Sequence, residues 1–205
     1  RFQTAIAYRD AQRAAGNNAH GVNHVLMGLV AFEDPGLLIY PPHRLVTPPA
    51  EFNSENFISD MEEYFRVVKV PQGLTERVRD AEPGCVLGMA LAGKGDYLLR
   101  LREDKRTALL GEEQPEAWRA LDVAVLHGGV LEKLLGLPGD AQHTYERDAA
   151  QLLQAAHGGQ GLGFLLRAAH PDQIRAVAEA GAAMPQKATY FFPKLPSGAV
   201  MHALV

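Results

Sequence analysis

The chain has 205 residues, of which 47% are hydrophobic and 21% charged, and this composition excludes disorder over most of its length. Its 20 Lys and Arg against 24 Asp and Glu leave a net charge of −4, which argues against a general nucleic-acid binder. Cys85 is the single cysteine, so a disulfide framework and a zinc site of several thiolates are excluded, and a reducing cytoplasm fits best. No apolar run approaches the ~20 residues that span a bilayer.

The N-terminal part is predicted to hold one helix and one hairpin. Apolar residues at helical spacing predict a helix over Arg1–Ala15. Apolar runs predict strands at Val22–Phe32 and Leu37–Tyr40, joined by the turn residues Asp34-Pro35-Gly36. The second strand runs into two prolines, so the pair His43-Arg44 is expected in a loop, where binding groups concentrate.

The middle of the chain contains the clearest local pattern. The apolar runs Cys85–Leu91 and Tyr97–Leu101 are joined by a glycine-rich loop, which predicts a β-hairpin. Ser54–Phe65 is amphipathic and predicts a helix. Pro115–Leu135 predicts one long helix, or two helices broken at Gly128-Gly129.

Helices and strands continue to alternate towards the C-terminus. Ala149–Ala156 and Asp172–Ala180 are predicted helices, and Phe164–Leu166 and Ala199–Leu204 are predicted strands. Alternating elements with hairpins among them predict an α/β or α+β domain, in which helices pack on a mixed sheet. The sequence suggests that the chain divides into two lobes, 1–110 and 111–205.

Familiar catalytic and metal-binding motifs are absent from the sequence. It contains no H-E-x-x-H, no G-x-x-x-x-G-K-[ST] and no G-x-S-x-G. His20 and His24 are four residues apart but lie outside any predicted helix, so no metal site is predicted. Cys85 begins an apolar strand, which favours a buried, inert thiol over a reactive one.

Two segments contain the candidate site residues. His43 and Arg44 follow an apolar strand, and the simpler alternative for them is a surface salt bridge. Met184–Lys194 places Lys187, Thr189 and Lys194 among aromatic residues, where lysines can bind phosphate or carboxylate. The alternative is that the aromatic residues anchor the C-terminus while the lysines stay solvated.

These segments resemble the bacterial and archaeal family known as domain of unknown function 1015. The resemblance rests on Met184–Leu195 with the following Gly198-Ala199-Val200, on Asp34-Pro35-Gly36-Leu37 with His43-Arg44-Leu45-Val46, on Leu121–Leu135 around His127, and on the opening residues from Arg1 to Asp10. Ala188 stands where the family usually has serine, so a hydroxyl is not available there. In the family the opening follows an aspartate-glycine-histidine-histidine box, whose next residue would be Arg1.

The resemblance implies a longer protein of which this chain is the C-terminal part, with residues 1–205 following a missing N-terminal half. The box is similar to that of ParB-type nucleotidases and free-serine kinases, in which a helix-opening turn binds nucleotide phosphate. A nucleotide and Mg²⁺ are therefore the implied cofactors. A small phosphorylated molecule or nucleotide is the expected partner, with no membrane and no direct contact to nucleic acid.

Three hypotheses remain open from the sequence. The first is phosphoryl transfer on a small substrate such as serine or phosphoserine, with His43 and Asp34 in acid, base or metal-ligand roles. In this hypothesis phosphate or substrate is bound by a set of basic and hydroxyl groups, namely Arg1, Arg44, Lys187, Thr189 and Lys194. The second is a nucleotide-binding regulatory module without turnover. The third is a structural lobe of a larger protein that contributes no chemistry.

Overall fold

The computed structural model describes residues 2–139, 141, 143–196 and 198–204. The chain forms two compact units. Unit 1 comprises the described residues of Arg1–Leu38 and Pro193–Val205, and unit 2 comprises those of Ile39–Phe192. These units do not coincide with the lobes 1–110 and 111–205, and that division stays a prediction.

Unit 1 contains the predicted N-terminal helix but neither of its predicted strands. Helix α1 spans Phe2–Ala14, and a 3₁₀ helix spans His20–Asn23. The predicted strands Val22–Phe32 and Ala199–Leu204 are wrong, because the described residues of these two segments form no strand and pair with no neighbouring strand. The C-terminal segment instead passes so close to Gly21 that a Cβ there would overlap the carbonyl oxygen of Ala203.

Unit 2 is built on a six-stranded sheet in the order β3-β5-β4-β7-β2-β6. All of its described strand pairs are antiparallel, which confirms the α+β alternative. The predicted hairpin is confirmed as the pair β4 and β5. The strands are β2 His43–Val46, β3 Phe65–Val70, β4 Val86–Leu91, β5 Gly95–Leu101, β6 Thr144–Glu146 and β7 Leu162–Leu165. A separate two-stranded sheet pairs β1 Leu38–Tyr40 with β8 Tyr190–Phe192, so the predicted N-terminal hairpin is not formed.

Short helices connect the strands of unit 2. They are α2 Ser54–Tyr64, α3 Leu74–Arg79, α4 Arg106–Leu110, α5 Glu116–Arg119, α6 Asp122–Ala124, α7 Ala149–His157 and α8 Pro171–Glu179, with a 3₁₀ helix at Glu103–Lys105 and a π-helix at Val125–Leu134. The long helix expected from Pro115 is broken at Leu121, not at Gly128-Gly129. Leu121 has an extended backbone, and its side chain is buried.

The two faces of the sheet carry separate cores. One face packs against α2 and the π-helix around Phe65 and Phe164. The other packs against α3 and α7 around Leu74 and Leu165. Cys85, just before β4, is buried as expected, and burial raises the pKa of its thiol well above the usual value. Its lack of reactivity stays a prediction.

Strand β2 corrects the expectation that His43 and Arg44 lie in a loop. Both residues are buried, and the strand pairs with β6 on one side and β7 on the other. Its partners are distant in sequence, so no local pattern could indicate this pairing. Successive residues of a strand point to opposite faces, and β2 therefore separates the His43 and Arg44 side chains.

Candidate functional site

Arg44 lies fully buried in β2, and its hydrogen-bond partners are neutral. Its Nε donates to Nε2 of His127 at 3.1 Å, and its Nη2 donates to the carbonyl oxygen of Lys187 at 3.1 Å. Its Nη1 donates to the carbonyl oxygen of Pro42. Two carbonyls and an imidazole satisfy donors without compensating the positive charge.

The charge of Arg44 is retained although burial opposes it. Burial lowers the pKa of Arg44 to about 10, so the guanidinium stays protonated at neutral pH. Among the residues that the structure describes, no carboxylate is paired with it. An uncompensated buried charge costs several kcal/mol. An anion placed beside Arg44 would recover part of that cost.

Tyr145 brings a second cation to Arg44. The register of β2 with β6 sets Tyr145 directly opposite Arg44. The Cζ atom of Arg44 lies 4.2 Å from the Tyr145 ring centroid, and the Nζ atom of Lys187 lies 3.9 Å from the same centroid. Each contact contributes about 0.5–2 kcal/mol, but two cations on one ring also repel each other. The ring therefore gathers positive charge.

Lys187 occupies a strained backbone position. It is the one non-glycine residue with positive φ in the described part of the chain, at 52°. The turn is closed by the Ala188 N–H, which donates to the carbonyl oxygen of Pro185 at 3.2 Å. This conformation costs roughly 1–2 kcal/mol for a residue with a Cβ, and such strain clusters at functional sites. It aims the Lys187 carbonyl at Arg44 while the ammonium group reaches Tyr145.

Two histidines complete the cluster. The rings of His127 and His143 meet edge to face with centroids 5.9 Å apart. Burial, followed by the charges of Arg44 and His143, lowers the pKa of His127 to about 4, so its Nε2 is an unprotonated acceptor for Arg44. Burial and then Arg44 lower the pKa of His143 as well. The Nδ1 atom of His143 is buried and has no hydrogen-bond partner in the described structure, so it could bond a ligand.

His43 faces the opposite side of the sheet from Arg44. Its Nδ1 accepts from the Leu166 N–H at 3.1 Å, so the proton of the neutral ring lies on Nε2. Burial, with Arg44 as the next cause, lowers the pKa of His43 to about 4. The ring lines an apolar cleft of about 400 Å³. An acid or base role for His43 stays a prediction, and β2 separates it from the Arg44 cluster.

The other predicted site residues are distributed over the chain. Thr189 is half-buried, two residues beyond Lys187. Asp34 and Lys194 belong to unit 1, where the Asp34 side chain accepts from the Gly36 N–H at 2.8 Å, which confirms the predicted turn. Arg1 lies outside the described residues. Their roles at the site stay predictions.

Sequence reasoning missed three members of the cluster as site residues, namely His127, His143 and Tyr145. No local motif joins them to Arg44, because they come from the π-helix, from the segment before β6 and from β6 itself. The one sequence signal that could have indicated the cluster was Arg44, a charged residue beside the apolar Leu45 and Val46 of β2. A charge at a buried strand position needs polar partners from elsewhere in the fold.

The described residues show neither a metal-binding group of side chains nor a membrane-spanning helix. They contain no group of three or more His, Cys, Asp or Glu side chains arranged to hold a metal ion. The rings of His20 and His24 lie with centroids 4.3 Å apart in unit 1. None of the described helices combines the length and the apolar character needed to cross a membrane.

Residues 1–124 match a family described as Protein of unknown function (DUF1015). The chain belongs to this family. The match includes β2 and Arg44, whereas the C-terminal signature from Met184 onward lies beyond it. That signature, the ParB-like relationship and the C-terminal placement in a longer protein stay predictions. None of the curated proteins compared with the chain matches it.

One solved structure supports the fold, and two others show weaker similarity. A conserved hypothetical protein from Pyrococcus furiosus is similar with a TM-score of 0.51 and 10% identity, over 82% of this chain and 62% of that protein. A mutant free serine kinase in complex with AMP has a TM-score of 0.48 and 10% identity, over 80% and 57% of the two chains. The same kinase mutant with ADP has a TM-score of 0.47 at 10% identity, again over 80% and 57%. The chain thus spans about three fifths of the length of these structures.

Proposed function

We propose that the cluster of Arg44, Lys187 and His143 binds the phosphate group of a small phosphorylated molecule or nucleotide, and that the full-length protein transfers a phosphoryl group. The observation that supports this most directly is the pair of cations on the Tyr145 ring, where no described carboxylate compensates either charge. A phosphate dianion would compensate both. Its oxygens also accept the hydrogen bonds that lysine and arginine donate.

Lys187 and Arg44 would act on a phosphate in different ways, because one is exposed and the other is buried. Lys187 is exposed, so its ammonium is the group that would contact a phosphate oxygen. Arg44 is fully buried and would act mainly through its field, held in place by His127 and two carbonyls. In phosphoryl transfer such charge neutralisation and positioning supply most of the catalysis. Thr189 and Arg1 are the further phosphate contacts proposed from the sequence.

A second candidate function follows from the protonation states at the site. With a pKa of about 4, His127 is a weak base, and no carboxylate accompanies it in the described cluster. The donor set also does not fit Mg²⁺, which prefers oxygen ligands, so no step is assigned to that ion. Nucleotide binding without turnover therefore remains the alternative.

Phosphorus NMR of the full-length protein tests the proposal. The sample contains O-phosphoserine or serine, ATP or ADP, and magnesium. We expect a new phosphorus signal that forms at least about tenfold more slowly in Lys187→Gln, since one charge-assisted contact is removed. Lys69→Gln is the matched control, because Lys69 is also exposed and lies over a tyrosine ring, with its Nζ 5.9 Å from the Tyr97 centroid.

The possible outcomes of the phosphorus NMR experiment support different functions for the Arg44 cluster. A new signal of equal rate in wild type and Lys187→Gln would refute this assignment. Nucleotide lines that shift without turnover, and that no longer shift in Lys187→Gln, would establish the regulatory alternative. Unchanged lines would leave a structural role for this part of the protein.

A further inference from the structure

Unit 2 contains a cavity that shares no lining residue with the Arg44 cluster and that is lined in part by polar side chains. It has a volume of about 570 Å³, within the range of small-molecule sites. Its polar lining comes from Cys85, Arg106, Asp122, Arg167, His170 and Gln173.

One pair of charges in this cavity is already satisfied. Arg167 donates from Nε to one carboxylate oxygen of Asp122 at 2.9 Å and from Nη2 to the other at 3.2 Å. Its Nη2 also donates to the carbonyl oxygen of Gly84. Burial raises the pKa of the Asp122 carboxyl, and Arg167, the Cys85 thiol and the Val86 N–H oppose that rise. The ion pair therefore has no net charge, and it is hydrogen-bonded to the neighbouring protein backbone.

Arg106 differs, because its Nη2 donor has a hydrogen-bond partner and its Nε donor has none in the described chain. Its Nη2 donates to Oε2 of Glu103 at 2.6 Å. Only 16% of its side chain is exposed. Its Nε is buried and has no hydrogen-bond partner within the described chain. A buried, charged donor left unpaired bears its full desolvation cost.

We propose that this cavity binds the oxyanion of a small molecule, a carboxylate or a phosphate group, on the Nε and Nη2 edge of Arg106. That edge presents two parallel N–H donors, which match two oxygens of such a group. Glu103 occupies one of the two donors only. Its side chain is 62% exposed, so it can turn to solvent when a ligand takes the edge. The cavity is large enough for the rest of a ligand beyond its anionic group.

The charge balance of the cavity supports one bound negative charge. Asp122 and Arg167 cancel, and among the described residues the ion-pair partner of Arg106 is the exposed Glu103. Solvent screens an exposed carboxylate, so its hold on Arg106 is weak. Removal of the Glu103 charge should therefore strengthen ligand binding, and loss of the Arg106 Nε donor should weaken it.

The test follows the Arg106 Nε–H signal by proton–nitrogen NMR while inorganic phosphate or propionate is added to the full chain. The signal is assigned by its loss in Arg106→Lys, which keeps the charge and removes the donor. We expect the signal to shift with either probe. Affinity should fall about tenfold or more in Arg106→Lys and rise in Glu103→Gln. The tighter probe then distinguishes a phosphate ligand from a carboxylate.

Two further variants separate this site from other basic groups. Arg102→Lys alters an exposed neighbouring arginine, and Lys187→Gln alters the Arg44 cluster. Both should leave the Arg106 shift unchanged. An Nε–H signal that does not move, equal affinity in Arg106→Lys, or a shift lost in Lys187→Gln would each overturn the proposal. Because Glu103→Gln is expected to gain affinity, a folding defect in Arg106→Lys would still leave the idea open to refutation.

Discussion

Arg44, which is buried, and Arg167, which is half-buried, lie in parts of unit 2 with opposite electrostatic character. Arg167 forms a two-bond ion pair with Asp122, and although burial lowers its pKa, the bond and charge of Asp122 raise it overall. Arg44 is more deeply buried, bonds to His127 and two backbone carbonyls, and has its pKa lowered by burial to about 10.

The difference indicates what each arginine does. A charge compensated inside the fold joins neighbouring segments and has no charge left for a ligand. A charge left uncompensated lowers the stability of the folded state until an anion binds. We therefore interpret Arg167 as part of the scaffold and Arg44 as part of a binding site.

Acidification should produce the largest effect. In the unfolded chain histidines bind protons below about pH 6.5, but His43 and His127 resist protonation in the fold until about pH 4. Between these values the unfolded state binds more protons, so the free energy of unfolding falls as pH falls, by up to about 1.4 kcal/mol per pH unit for each histidine. Urea unfolding from pH 7 to 4.5 measures this slope, and His127→Gln should reduce it.

The Arg167 region should not share this loss. Burial raises the pKa of Asp122, so the folded state retains that proton to higher pH than the unfolded chain does. Stability from this group therefore increases as pH falls. If Asp122→Asn flattened the acid slope as much as His127→Gln, the contrast between the two regions would be wrong.

Removal of the Asp122 carboxylate should be the most damaging of the single changes. Asp122→Ala leaves Arg167 partly buried without a counter-charge and removes both of its hydrogen bonds to the carboxylate. We expect the free energy of unfolding to fall by about 3 kcal/mol. Chemical denaturation measures it, with Asp60→Ala on the exposed face of α2 as a control that should stay within about 0.5 kcal/mol.

Arg44→Met should cost much less stability. The substitution breaks the bonds to Pro42, His127 and Lys187, but it also removes an uncompensated buried charge. We expect these effects to cancel to within about 1 kcal/mol, while phosphate binding at the cluster is lost. A loss of stability as large as that of Asp122→Ala would show that Arg44 is a scaffold arginine too.

The smallest expected effect concerns the backbone of Lys187. Because its φ of 52° suits glycine, Lys187→Gly should be more stable than Lys187→Ala by about 1 kcal/mol. Both variants should bind phosphate more weakly than the wild type, since both lack the ammonium group. Thermal unfolding of the two variants measures the backbone strain at this position, and a phosphate titration measures the effect of the lost charge. Equal stability would mean that the turn is not strained.

Local patterns predicted the elements whose partners are close in sequence. The β4–β5 hairpin and helices α1, α2, α7 and α8 follow from apolar spacing and a glycine-rich loop, so the prediction is confirmed there. Strands β2 and β6 have only four and three residues, and their pairing depends on segments about a hundred residues apart. The apolar residues of Val22–Phe32 misled the prediction because strand propensity forms no strand without a partner.

The site shows the same division. Residue chemistry alone selected Arg44 and Lys187 as anion-binding candidates, since basic side chains among apolar neighbours need a reason. Only the fold joins them, because the Arg44 guanidinium reaches the Lys187 carbonyl across 143 positions of the chain. Alternation along β2 placed His43 on the other face, and burial then lowered its pKa. The sequence determined which charges the protein has, and tertiary packing decided which of them are buried, which are compensated and which are left for a ligand.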